Sequence, residues 1–410
     1  MARGLLNMDS EDNENDYNLM DAVREEESPP GSYKIALRSV TKKEFRIDYW
    51  TGSFLMACLA YLAISGVLLF YYFQGGNPYG STQQIINNVY FGHLILTSHL
   101  YTAYAMVIIV YVHMFRNYFV GAYKGRFRWL QWMLGVLLFI LVYVEAVMGY
   151  LLSETYIGVS ALHVMELLVE KSVIGRLFPV LANWAISLLI GDATTASTVG
   201  HLLALHVAII GGAIVVVAFL HFFLFEKSGP FNLSDRKEEK ETGKDEKYFP
   251  WYPVNLLYTF LTSFIFIAIV LIFSALFMQI LQPAYGTLGY GYTPFPDWYI
   301  MPVYKLMDLA GYGLTTGGVP LVTFFFISLF FIPFIDRYKS RAALDRPMIT
   351  VFGVFYLMAL FIMGLWGYSQ PGLTQTRVLT MAMWWGITMV SILTVYAMRF
   401  AKKDLVKNAS

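Results

Sequence analysis

Residues 92–119 read GHLILTSHLYTAYAMVIIVYVHMFRNYF, and residues 200–225 read GHLLALHVAIIGGAIVVVAFLHFFLF. Each run is longer than the roughly 20 apolar residues a membrane helix needs, and each carries three histidines. They are His93, His99 and His113 in the first, and His201, His206 and His221 in the second. Polar side chains at membrane depth are costly and mark functional positions. A helix turns about 100° and rises about 1.5 Å per residue. His99 and His113 therefore lie about 40° apart around their helix and about 21 Å apart along it. His206 and His221 lie about 60° and about 22 Å apart. Two helices that run the same way place His99 level with His206, and His113 level with His221. Each pair is placed to clamp one haem iron from both sides. His93 and His201 lie about 160° around the helix from His113 and His221. They sit near the helix ends, where hydrogen bonding is their expected role.

Working outward, further apolar stretches near 50–73, 129–152, 255–281, 316–335, 347–368 and 378–398 join spans at 90–114 and 200–225. The sequence predicts an all-α integral membrane protein of eight transmembrane helices, the first four forming a di-haem four-helix bundle, because a bilayer core leaves backbone polar groups only helical partners. The expected divisions are a cytoplasmic N-terminal extension (1–49), the bundle (50–226), a cytoplasmic loop (227–254), a C-terminal four-helix region (255–398) and a tail (399–410). The segment 152–199 has room for surface helices. Of the 29 Lys and Arg, all but Lys171, Arg176, Lys305 and Arg377 fall on one side of this layout. Positive loops stay in the cytoplasm, so both termini are expected there.

Composition agrees. The chain of 410 residues is 57% hydrophobic and 14% charged, against roughly 25% charged in soluble domains, which excludes a water-soluble enzyme. A net charge of +1 offers no basic field for nucleic acid. The single cysteine, Cys58, excludes a disulfide framework, Cys-ligated zinc, an iron–sulfur cluster and a C-x-x-C-H haem attachment. The first 28 residues, rich in Asp and Glu, carry no apolar segment, and no cleavable signal peptide is expected. A transporter built on inverted repeats or broken helices is not indicated.

Spans one and three add glycines at the same interval: Gly52 and Gly66, Gly135 and Gly149. A flat haem needs small residues facing it. By depth, Gly66 and Gly149 belong with His99 and His206, and Gly52 and Gly135 with His113 and His221. Plain helix packing also uses small residues, but two glycine pairs in register with two histidine pairs favour haem.

These residues resemble cytochrome b, the membrane core of quinol-oxidising cytochrome bc complexes, in its prokaryotic forms, archaeal-type Rieske/cytochrome b complexes among them. The resemblance spans all eight segments. It includes GSFLMACLAYLAISG (52–66), HMFRNYFVGAYKG (113–125), MGYLL (148–152) and TTASTVGHLLALH (194–206). Its most specific element is Pro296-Asp297-Trp298-Tyr299, similar to the family's Pro-Glu-Trp-Tyr motif of the outer quinol-oxidation site. The resemblance implies two non-covalent haems b, with His99, His206, His113 and His221 on the irons. It implies a quinol substrate, with Asp297 accepting a proton and Tyr299 positioning the quinol. It further implies a Rieske iron–sulfur partner, cytochrome c-type or oxidase subunits, a homodimer within a larger complex, and a prokaryotic plasma membrane. An oxidase supercomplex is the alternative setting; the smaller di-haem anchor of hydrogenases or formate dehydrogenases has no such outer loop.

The chain departs from the family at several positions. Arginines expected near the outer ligands are Leu96 and His201 here, so His201, with His93, is expected to serve the propionates. Arg116 keeps the cytoplasmic arginine. Trp50 stands where the plastid form has a haem-linking cysteine. A Lys-Asp pair at the start of helix five is replaced by Asn255 and Leu256, with Glu226 after helix four, so the cytoplasmic quinone-reducing site is expected to be altered, slower or absent. Glu145, an acid at membrane depth in span three, is read equally as a proton path or as a neutral, hydrogen-bonded carboxyl.

Overall fold

The computed structural model describes residues 39–41, 50–125, 127–228, 248–287, 295–309, 319–370 and 376–409. Its long helices are α1 (Thr51–Tyr72), α3 (Gly92–Phe119), α4 (Arg128–Leu151), the run of α8 (Thr195–Leu203) into α9 (Gly211–Ser228), α10 (Leu256–Leu276), α13 (Pro347–Ser369) and α14 (Arg377–Ala409). These supply seven helices long and apolar enough to cross a membrane among the described residues. The sixth predicted span appears as α12 (Val319–Ile335), a 17-residue apolar helix. The eight-span count therefore stands at seven plus this shorter helix. Residues 310–318, over which that span was expected to begin, lie outside the described residues.

Shorter helices join them. Asn77 caps α2 (Pro78–Asn88) by accepting from the Gly80 amide, and Thr155 caps α5 (Tyr156–Lys171) by accepting from Gly158. With α6 (Val173–Leu177) and α7 (Pro179–Ile190), α5 fills the segment between spans three and four. Helix α11 (Met301–Leu309) follows the 296–299 motif. The expected tail continues α14 to Ala409, because 399–409 contain no Gly or Pro to end a helix. One feature was not foreseen: β1 (Ser39–Thr41) pairs antiparallel with β2 (Tyr248–Pro250), tying the N-terminal arm to the entry of α10.

In the bundle, α1 packs along α3 and α4 along α9, with α3 against α4; α10 lies on α1 and α3. The outer faces stay apolar, as at Phe264, 70% exposed, and Ile272, 61% exposed, which is the surface a bilayer covers. The second half meets the first through α12 on α4 and α13 on α3.

A buried polar cluster fastens the two halves at the end opposite the 295–300 loop. Arg346, 0% exposed, donates through Nη1 to Asp336 Oδ2 at 2.8 Å and through Nη2 to the Phe119 carbonyl at 2.7 Å, closing the end of α3. Tyr123 donates to Asp336 Oδ2 at 2.6 Å and Lys124 to Oδ1 at 2.9 Å. Burial pushes the Asp336 carboxyl up, but the donors Tyr123, Lys124 and Arg346 outweigh it and hold it below its ordinary value. Its stabilising contribution is therefore complete above the ordinary carboxylate range and lost as pH falls below it. Asp336→Ala leaves Arg346 buried without its carboxylate and is expected to cost about 3–5 kcal/mol. Thermal unfolding in detergent at neutral pH measures this. An unfolding midpoint equal to wild type shows that the cluster contributes nothing.

Candidate functional site

The histidine pairs sit on α3 and on the α8–α9 run, facing the glycines of α1 and α4. His113 and His221 have ring centroids 6.5 Å apart, with planes inclined at 68°. An imidazole nitrogen lies roughly 2 Å from a metal it ligates, so two rings sharing one iron have centroids about 6 Å apart; the observed spacing fits. At the other end stand His99, against Gly66, and His206, against Gly149.

Each glycine abuts the histidine at its own depth. A β-carbon at Gly52 would stand 3.6 Å from His113 Cε1, at Gly66 3.4 Å from His99 Cε1, at Gly135 3.1 Å from His221 Cε1, and at Gly149 3.3 Å from His206 Cε1. The glycines thus let the imidazoles seat against α1 and α4, in addition to any role beside a flat ring.

The other ring nitrogens fix the tautomers. His221 Nδ1 lies 2.9 Å from the Gln131 carbonyl, which only accepts, so Nδ1 carries the hydrogen and Nε2 the lone pair. Ser65 donates to the Tyr61 carbonyl at 2.7 Å and meets His99 Nδ1 at 2.8 Å, which gives His99 the same tautomer. Thr51 Oγ1 holds His113 Nδ1 at 2.9 Å, and the Asn117 amide donates to His113 Nε2 at 3.2 Å, the lone pair a metal would take. Such outer partners orient metal-ligating imidazoles.

His206 lies within a π-turn, Ala204–Ile210, where the Gly211 amide bonds to the His206 carbonyl five residues back. Ideal geometry left His206 and His221 about 60° apart. The π-turn takes up one extra residue, so a fifteen-residue step does the work of the fourteen-residue step in α3.

The remaining predicted residues fall into place variously. His93 Nε2 bonds the Gln279 carbonyl at 2.8 Å, and His201 Nδ1 the Leu188 carbonyl at 3.1 Å. These bonds tie the helix ends to neighbouring segments. Arg116 donates to Asn117 Oδ1 at 3.1 Å. Cys58 is fully buried in the bundle core. Trp50 stacks at a tilt near Tyr258, with centroids 6.1 Å apart. The Asn255 Oδ1 is buried without a hydrogen-bond partner among the described residues. The Glu226 side chain lies outside what the structure describes.

The 295–300 loop sits at the His99/His206 end. Burial pushes the Asp297 carboxyl above its ordinary value, and the hydroxyl of Tyr104, five residues after His99, partly offsets this. Trp298 meets Tyr104 edge-on with centroids 5.9 Å apart, and Tyr299, 3% exposed, accepts at its carbonyl from the Tyr143 hydroxyl. Below the loop, an apolar cavity is lined by Pro302, Val303, Leu306, Phe325, Tyr356 and Met363, among others. Tyr104 and Tyr143 escaped the sequence reading because a tyrosine in an apolar helix gives no local signal of which hydroxyl meets a distant loop, 156 positions on for Tyr143 and further for Tyr104.

Within a membrane helical bundle stand four histidines, each with a glycine against it. Residues 104–286 match the family described as cytochrome b(N-terminal)/b6/petB, and residues 293–400 match cytochrome b(C-terminal)/b6/petD. The chain belongs to the cytochrome b family, whose members bind haem b. It is 30% identical over 362 residues to a cytochrome b of Sulfolobus acidocaldarius, a match covering 81% of this chain and 63% of that protein. A cytochrome b of Rickettsia prowazekii is 26% identical, with 82% of this chain and 84% of that one covered. A cytochrome b6 of Synechocystis sp. is 28% identical over 186 residues, 45% of this chain and 81% of that one. A chain of a solved structure titled "Hyperthermophilic respiratory Complex III" shares the fold, with a TM-score of 0.69 and 22% identity over 88% of this chain and 92% of that one.

Proposed function

We propose that this chain is the di-haem cytochrome b subunit of a respiratory quinol-oxidising complex, in which electrons from quinol cross the membrane between two b haems. The observation that carries the reading is the His113–His221 ring spacing of 6.5 Å, together with a glycine against each of the four histidines. His99 with His206, and His113 with His221, would hold the two irons through Nε2. The haems, when bound, would supply two one-electron centres. The chain's own residues fix the imidazole tautomers, keep space open at the four glycines, and at Asp297 offer a carboxyl that burial raises above its ordinary value, to take a quinol proton.

The 295–300 loop is assigned to the outer face and both termini to the cytoplasm of a prokaryotic plasma membrane, on the Lys and Arg distribution. The five sequence divisions made at 49, 226, 254 and 398 serve as working domains. The one cysteine is buried in the core, so an iron–sulfur centre that takes the first electron belongs to a separate Rieske-type partner. Cytochrome c-type or oxidase subunits and a second copy of the chain complete the proposed assembly. Arg116, and His201 with His93, are the proposed propionate partners.

A reduced-minus-oxidised spectrum with haem extraction tests this directly, and about two b haems per chain is the expected result. In the same assay Gly135→Val should disturb the haem of the His113/His221 pair, and Gly149→Val the other, because a branched side chain overpacks the space beside each ring. Equal and mild effects on both haems would return the glycines to plain helix packing.

A further inference from the structure

At Nδ1 the two histidine pairs are held almost symmetrically, with one difference. On α3 both ligands meet a hydroxyl from α1: Ser65 at His99 and Thr51 at His113. Opposite them, His221 Nδ1 meets a backbone carbonyl, but His206 Nδ1 meets the Glu145 carboxylate, 3.0 Å from Oε1. The contact is close yet off the hydrogen-bond line, and neither His206 Nδ1 nor Glu145 Oε2 has a hydrogen-bond partner among the described residues. The imidazole and the carboxylate thus stand in ion-pair contact at membrane depth, where a carboxylate is costly unless it serves a purpose. The π-turn makes the room: a β-carbon at Gly211 would stand 3.3 Å from Glu145 Oε1. Glu145 lies four residues before Gly149. Four residues before Gly135, at the equivalent place in the other half, stands Gln131. Glutamate and glutamine match in shape, so the two half-sites differ here chiefly by a charge.

We infer that Glu145 is a positioning residue for the outer redox centre: its carboxylate accepts the Nδ1 hydrogen of His206 and lowers the reduction potential of that centre relative to the one at His113/His221. The inference rests on the di-haem reading. A carboxylate on the far nitrogen makes an imidazole a stronger donor to its metal, and a stronger donor favours the oxidised iron. Outer hydrogen bonds are one of the levers by which a protein sets haem potentials.

Potentiometric titration of the full chain in its complex, read in the α-band, separates the cases. Replacing a charged acceptor by a neutral one in Glu145→Gln should shift the reduction equilibrium of one haem about tenfold toward the reduced form. That is about 59 mV upward for a one-electron couple, with the second haem unmoved. Gln131→Glu should move the second haem the opposite way by a smaller amount, because His221 keeps its bond to the backbone carbonyl. An unchanged outer haem in Glu145→Gln overturns the inference. Should Glu145→Gln fail to accumulate, Gln131→Glu decides by itself: a lowered potential supports the inference and an unmoved one overturns it. A wild-type protein without b haem overturns the di-haem reading instead.

Discussion

His113→Ala is expected to remove one haem and spare the other, halving the haem-to-chain ratio. The His113 and His221 rings stand 6.5 Å apart, held by Thr51 on α1, Asn117 on α3 and the Gln131 carbonyl on α4. Deleting the His113 imidazole leaves His221 alone at that depth. His99 and His206 keep their own neighbours, Ser65, Glu145 and the glycines at 66 and 149. The pyridine haemochrome assay on purified protein counts the haems, and low-temperature spectra identify which one is gone. His93→Ala and His201→Ala should retain both, since neither is an iron ligand in this reading; one ring nitrogen of each meets a carbonyl, of Gln279 or Leu188. Loss of a haem in either of these, with retention in His99→Ala, would overturn the pairing.

Asp297→Asn should slow quinol oxidation by about a hundredfold to ten-thousandfold, the usual worth of a general base, while both haem spectra stay intact. Burial raises the Asp297 carboxyl, and the hydroxyl of Tyr104 partly offsets this. A base works only when ionised, so turnover in the wild type should fall as pH drops through that raised value. The acid limb should vanish in Asp297→Asn. Tyr104→Phe removes the donor that favours the ionised form, so the limb should move to higher pH. Asp297→Glu restores the family's residue and should keep most activity. A wild-type rate across pH in Asp297→Asn would leave the loop a positioning role only. Steady-state quinol oxidation against pH gives each of these results.

Much of this was legible because membranes write in long words. Runs of 17 to 33 residues with few charges have one outcome in a bilayer, and a fourteen-residue repeat of His or Gly returns to nearly the same helix face. The short helices were less visible. Helices α2 and α5 are announced by the caps Asn77 and Thr155, but such residues are as common in turns. The β1–β2 pairing joins residues some 200 positions apart and rests on three-residue strands, too short to leave a pattern.

The chain alone determined that helices would span, that His99, His113, His206 and His221 would form two level pairs, and that Asp297 would lie in a loop after span five. These follow from hydrophobic length and helical period, which are local properties. Only the tertiary structure decided how fifteen residues in α8–α9 match fourteen in α3. The extra residue sits in the π-turn at 204–210, and nothing in ALHVAII favours that place by itself. It is selected where α4 brings Glu145 against His206 and Gly211. The structure likewise decided that Tyr104 reaches Asp297 and that Asp336 gathers Tyr123, Lys124 and Arg346. Polar groups in a low-dielectric interior must find partners wherever the packing puts them, and which partner lies within 3 Å is a property of the packed helices, not of any one of them.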